Sequence, residues 1–225
     1  MADVNDQQAE IARLERLLAE ASEQTLAAFK SRDRGKTYKA AHAAELQLER
    51  QLAAAKGEPY AIPLDFPLKW DIGAPLPHLV CNDYKTFLCF LLNMPDPDWD
   101  GSYVTIKSAG GSAAESLALV EFKGCMSVKF GAPNDEVFHG HPLAGRGQSA
   151  YTAQLVVNST WLAELQKINS VHQMYNPELW KTLNHYVLWF HDSTFECIAQ
   201  SFDVEVYKET FASVLGRMCA RLIAE

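Results

Sequence analysis

No stretch of this 225-residue chain approaches the roughly 20 consecutive apolar residues that a bilayer-spanning helix requires. The longest apolar run, TFLCFLL at Thr86 to Leu92, is far too short. The opening MADVNDQQAE has no basic segment followed by an apolar one, so no secretory signal is expected. Cysteine is sparse and oddly numbered, at five. No two cysteines have CxxC spacing, which excludes a zinc ribbon or a thioredoxin-type site. Cys81, Cys89, Cys125, Cys197 and Cys219 are expected to be reduced thiols, and the predicted location is cytoplasmic. Basic charge is also short, with 20 Lys and Arg against 28 Asp and Glu. Residues 1–57 hold nine of each sign, so the net charge of −8 belongs to the remainder. An acidic body excludes nucleic acid as the main partner and disfavours an anionic membrane. The motifs GxGxxG, GxxxxGK[ST], HExxH and GxSxG are absent, and with them the chemistries they carry.

Proline is missing from Asp6 to Lys56, and residues 1–57 contain two of the 24 aromatics, Phe29 and Tyr38. Helix-forming Ala, Leu, Glu, Gln and Arg dominate there. Ile11, Leu14, Leu18, Ala21, Thr25 and Ala28 recur at three-four spacing, a coiled-coil-like seam, which Leu17, Leu26 and Phe29 widen. The pattern breaks around Gly35 and resumes at Tyr38, Ala41, Leu48 and Leu52. Two helices joined by a short turn are predicted, with one long bent helix as the alternative. Neither helix can bury its stripe alone, so the arm is expected to aid assembly, as in a homo-oligomer, or to pack on its own domain.

Residues 58–77 carry half of the ten prolines, with Tyr60, Phe66 and Trp70. Proline forbids helix and central strand, so an extended strap with anchored aromatics is expected. Residues 78–225 read as an α+β domain. Strands are predicted at His78–Cys81, Thr86–Leu92, Ser102–Lys107, Ser116–Phe122, Met126–Phe130, Tyr151–Val157, His185–Phe190 and within Phe195–Val206. TFLCFLL fits a buried helix equally well. The Met126–Phe130 strand is expected to follow a Lys123-Gly124 turn. Helices are predicted from Asn158 or Ser159 to Ile168, from Asn176 to near Asn184, and from Tyr207 to Ile223. The expected fold is thus a helical hairpin at 1–57, a strap at 58–77, and a mostly antiparallel sheet domain with two short helices and a C-terminal one.

Five of the seven histidines fall in residues 139–191. His139-Gly140-His141 is an HxH pair inside a Gly- and Pro-rich loop, residues 131–150. On a strand, such a pair would present both imidazoles on one side and could hold a metal with a third ligand. His185 and His191 bracket the strand HYVLWF, and Asp192 and Glu196 add carboxylates. Should the loop fold over this hairpin, His139, His141, His191 and Glu196 would converge as a metal site or a His/carboxylate acid–base pair. The expected catalytic residues are therefore His141, His191 and Glu196, and the metal ligands His139, His141 and His191, with a divalent metal the candidate cofactor. Arg146 and Asp192 are the candidate ligand-binding residues, although Arg146 is expected to pair with Asp135 or Glu136. Two functions follow. One is a binding protein that recognises a protein, peptide or small molecule through the α+β domain, its arm aiding assembly. The alternative is a small His/carboxylate enzyme built from the 131–150 loop and the 185–196 hairpin.

Overall fold

A computed structural model of the chain describes residues 2–31, 35–93 and 107–224. Helices α1 (Ala2–Lys30) and α2 (Lys36–Lys56) come first. Strands β1 (Tyr60–Pro63), β2 (His78–Cys81), β3 (Thr86–Leu91), β4 (Glu115–Lys123) and β5 (Ser127–Gly131) follow. A 3-10 helix, Asp135–Gly140, then leads to β6 (Ala153–Val157) and helices α3 (Thr160–Asn169) and α4 (Pro177–Lys181). Strands β7 (Asn184–Trp189), β8 (Thr194–Ala199) and β9 (Ser201–Glu209) and helix α5 (Phe211–Ile223) complete the chain. The α+β class holds, with a helical pair, antiparallel sheets, short helices and a C-terminal helix. No helix among the described residues is long and apolar enough to cross a membrane.

There are two antiparallel sheets rather than one, of order β1-β6-β7-β8-β5 and β2-β3-β4-β9. They pack face to face. Leu88, Phe90, Val120 and Phe122 of one sheet meet Tyr186, Leu188, Phe195 and Cys197 of the other. The outer face of the four-stranded sheet is buried too, because Phe87, Cys89, Leu91, Leu117 and Leu119 lie under Phe211, Val214 and Met218 of α5. Every residue of β3 is buried. A strand covered on both faces reads as a continuous apolar run, which is why TFLCFLL fits helix and strand alike. The strap is built into the fold. Its β1 is an edge strand paired with β6, a position that tolerates Pro63. Its Trp70 is buried between the sheets, ringed by Phe66, Phe90 and Phe190.

The segment Phe195 to Val206 holds parts of two strands. β8 lies in the five-stranded sheet and β9 in the four-stranded one, joined by Gln200 alone. Odd-numbered Phe195, Cys197 and Ala199 face the inter-sheet core, but after Gln200 it is even-numbered Phe202 and Val204 that pack on it. One extra residue shifts the alternation, as at a bulge. β4 and β5 likewise separate into different sheets at Gly124, which has φ +57°, so the Lys123-Gly124 turn is a corner and not a hairpin. The last strand runs to Glu209, and α5 starts only at Phe211, where Thr210 caps it by accepting from Ser213 N–H. α4 stops at Lys181, short of Asn184, because Asn184 already pairs with Ala199. The expected strand at Ser102–Lys107 lies, apart from Lys107, outside the described residues.

α1 and α2 form an antiparallel hairpin. Gln7 Nε2 donates to Ala55 O at 2.9 Å, and Ser22 Oγ to Glu45 Oε1 at 2.6 Å. Leu14, Ala21, Thr25 and Ala28 are the buried seam, whereas Leu26 and Phe29 stand outside it, about half exposed. α2 docks on the sheet domain of its own chain. Arg50 Nε donates to Ala61 O at 2.8 Å and its Nη2 to Gly147 O at 3.2 Å, while Gly147 N–H donates to Glu49 Oε2 at 2.8 Å. Gly147 is required there. Its φ is +80°, and a Cβ would lie 2.5 Å from both Ala61 O and Arg50 Cγ. Gly147→Ala is therefore expected to cost about 1–2 kcal/mol in backbone strain and to displace Arg50. Gly140, which has open space around it, should tolerate alanine. Urea denaturation, with limited proteolysis after Lys56 as the reporter of arm release, checks the pair.

Candidate active site

The outer face of the five-stranded sheet carries polar residues that its cover must satisfy. His185 on β7 and Glu196 on β8 are diagonal neighbours there, since Val187 pairs with Glu196 and His185 with Ile198. His185 Nε2 and Glu196 Oε2 are 2.9 Å apart. The chain leaves β6 through Asn158, whose φ of +53° is one that asparagine tolerates, and Ser159 then caps α3. Ser159 Oγ accepts from Leu162 N–H at 3.1 Å and lies 2.8 Å from His185 Nδ1. The ionised Glu196 carboxylate can only accept, so His185 Nε2 carries the ring hydrogen and donates to it. In the neutral ring Nδ1 is then the acceptor, and the Ser159 hydroxyl donates to it.

The second imidazole comes from the 131–150 loop. His141 Nδ1 accepts from Leu143 N–H at 3.2 Å, which leaves Nε2–H facing Glu196 Oε1 at 3.9 Å. Trp189 meets His141 edge-on and Trp161 meets His185 likewise, with ring centroids 4.7 and 5.1 Å apart. Gln154 pins the loop from below. Its amide donates to Gly147 O at 2.8 Å, and its Oε1 accepts from Trp189 Nε1 and from Ser149 N–H. Lys129 is directly opposite Glu196 across the β5–β8 ladder, with its Nζ 3.8 Å from the Trp161 ring centroid. Ser159, His185, Glu196, His141, Lys129 and Arg146 all line one cavity of about 220 Å³.

Burial acts on both partners of the central pair. It would push the Glu196 carboxyl up. The hydrogen bond from His185, with the His141 imidazole 3.9 Å away and the charge of Lys129 across the ladder, outweighs it and holds Glu196 well below the usual carboxylate range. Burial lowers His185 below its ordinary value by more than Glu196 raises it. At neutral pH the pair is thus an ionised carboxylate accepting from a neutral imidazole, the form a general base needs.

The structure brings His141 and Glu196 together as expected, and adds His185 and Ser159. It does not bring His191 or His139 to them. β7 ends at Trp189, and Phe190 N–H bonds to Ser193 O. The chain is therefore turning at His191, and strand alternation no longer applies. His191 Nδ1 is 2.8 Å from Asp192 Oδ1 and its Nε2 is 3.8 Å from Asp135 Oδ2. These carboxylates raise it, Asp192 foremost. Asp192 is largely exposed. His139-Gly140-His141 is not on a strand. His139 belongs to a 3-10 helix, where residues two apart point in different directions, and it lines a separate cleft beside the arm. No group of three or more His, Cys, Asp or Glu among the described residues is arranged to hold a metal ion. Arg146 pairs at 3.2 Å with Glu58, rather than with Asp135 or Glu136. In sequence, Ser159 signals only a helix cap, and no spacing links it to His185. No family model matches the chain, and neither a curated protein nor a solved structure is significantly similar to it.

The two shifts give acid lability with a definite sign. His185, lowered in the fold, contributes stability above its unfolded value of about 6.5 and loses it as pH falls toward the folded value. Glu196, also lowered, contributes above about 4.3 and loses it at still lower pH. Urea-unfolding free energy should fall between pH 7 and pH 5, and the His185→Gln variant should show a flatter profile over that window. Parallel profiles for the two proteins would refute a neutral buried His185.

Proposed function

We propose that the chain is a small hydrolytic enzyme in which Ser159 is the nucleophile, His185 the general base and Glu196 the carboxylate that orients and stabilises it. The observation that carries this reading is the unbroken line Ser159 Oγ–His185 Nδ1 at 2.8 Å and His185 Nε2–Glu196 Oε2 at 2.9 Å on the wall of a cavity. This is the logic of a serine–histidine–carboxylate triad, recognised by geometry and not by chain order, with the two imidazole nitrogens exchanged. In the proposed step Ser159 Oγ bonds to an acyl carbon as its proton passes to His185 Nδ1. The imidazolium is held by Glu196, and the proton then goes to the leaving group. Water, deprotonated by the same base, then bonds to the acyl carbon, and as the Ser159 Oγ–acyl bond breaks the proton returns from His185 to Oγ and the acid leaves. Leu162 N–H, already on Oγ, stabilises the developing alkoxide. The N–H groups of Thr160 and Trp161, to which the α3 ladder itself gives no partner, offer donors for an oxyanion. Lys129 and Arg146 favour acyl substrates that carry an anionic group.

A fluorophosphonate probe, read by peptide mass spectrometry, tests this. Labelling is expected at Ser159. His185→Gln should slow labelling and short-chain ester turnover about 10²- to 10⁴-fold. An unlabelled Ser159 in folded protein, with no ester turnover, removes the hydrolase.

The exposed Leu26 and Phe29 at the turn end of the arm favour a second reading, a binding protein whose arm aids self-assembly. Light scattering on the Leu26→Glu, Phe29→Glu double variant decides it. A mass equal to that of the parent protein at every concentration sets this reading aside.

A further inference from the structure

The 131–150 loop walls a second space on its other side. Between it and the arm is a cleft of about 500 Å³, separate from the cavity at Ser159. Among the described residues its full charges are of one sign, with His42 and His139 also in the wall. Glu45 and Glu49 come from α2 and Asp135 from the loop, and no Lys or Arg lines it among the described residues. Each carboxylate is only partly used inside the protein. Glu49 Oε2 accepts from Gly147 N–H, and Glu45 Oε1 accepts from Ser22 Oγ. Asp135 Oδ2 accepts from the Tyr151 hydroxyl. Glu45 Oε2 also lies 3.7 Å from His42 Nδ1. Burial raises the Glu49 carboxyl above its ordinary range, a cost that a nearby cation would relieve.

A second observation is independent of the acids. Two buried side chains in the wall of this cleft have a polar atom with no partner, Gln148 Oε1 and Thr25 Oγ1. Gln148 is 5% exposed and Thr25 is 9% exposed. Gln148 commits its amide nitrogen to Phe138 O, so what is left is an acceptor. A buried acceptor left unmatched costs about 1–3 kcal/mol unless something donates to it. Tyr38, Phe138 and Tyr151 supply aromatic surface in the same wall, and ring faces attract ammonium groups.

The geometry points to a binding site for a small organic polyamine in this cleft. Its N–H groups meet the spare carboxylate oxygens and, once those two buried side chains turn toward the cleft, Gln148 Oε1 and Thr25 Oγ1, and its methylenes lie against the rings. A bare metal ion would use the carboxylates but not the aromatic wall. An uncharged polyol would use the hydrogen bonds but not the charge. Bound there, a polyamine would bridge arm and loop.

Calorimetric titration and thermal melting of the full chain with spermidine test the site, with butane-1,4-diol and magnesium chloride as comparison ligands. Spermidine should bind saturably and raise Tm, as any ligand selective for the folded state does. The diol should do neither, and magnesium should not displace spermidine. Glu49→Gln, which keeps an acceptor for Gly147 N–H, and Asp135→Asn should each weaken spermidine about tenfold or more, the loss of one charged hydrogen bond. Absence of saturable spermidine binding overturns the proposal. So does equal affinity in both folded variants, or displacement by magnesium.

Discussion

Glu196 is a carboxylate withdrawn from water on the face of a sheet, and its surroundings are arranged around that fact. An isolated buried charge is too costly to keep. This one is kept by the His185 N–H, a second imidazole 3.9 Å away and a lysine across the ladder, while a serine holds the far nitrogen of His185. The loop that delivers His141 has little apolar surface beyond Leu143 and Phe138. It is held instead by Gln154, Glu49 and Arg50. Around Glu196 the cover of the sheet is thus a polar network, flanked by the apolar contacts of Leu143 with Val187 and Trp189 and of α3 and α4 with Ile198.

The two sheets divide the work. The four-stranded sheet is sealed by α5 through Phe211, Val214 and Met218, with Arg221 bridging Glu121 and Glu205 at the rim. The five-stranded sheet leaves its outer face to α3, α4, the loop and the arm, and the cavities lie among these partial covers. Function-bearing residues concentrate on connections set against a rigid scaffold. Here both imidazoles of the proposed centre are positioned from that one face.

What could be read in advance follows from which signals are local. The helical arm was legible because propensity, absence of proline and seven-residue recurrence agree along one stretch. Most strands were legible from composition, although β1 was read only as strap and β3 fitted a helix equally well, and Asn176-Pro177-Glu178 correctly announced a helix start. His141 with Glu196 was legible as a pairing because a long loop beside a hairpin has few places to go. The count of sheets was not. It depends on a change in alternation at Gln200, where no residue type marks the crossing. His191 misled because its spacing from His185 assumes a strand that has already ended. Ser159 was hidden because its local role, capping α3, explains it fully until His185 is seen beside it.

Gln200 has a further consequence, for the order in which the chain can assemble. β8 joins β7 across a four-residue turn, a local event, whereas β9 must pair with β4, laid down far earlier in the chain. Because one residue separates them, placing either strand constrains the other, and pairing β9 with β4 closes a long loop. Long-range pairings of this kind slow folding. The arm can zip early from neighbouring sequence, but the enclosed core of the sandwich is a late product. Until it closes, the β4 edge is open to strands of other molecules.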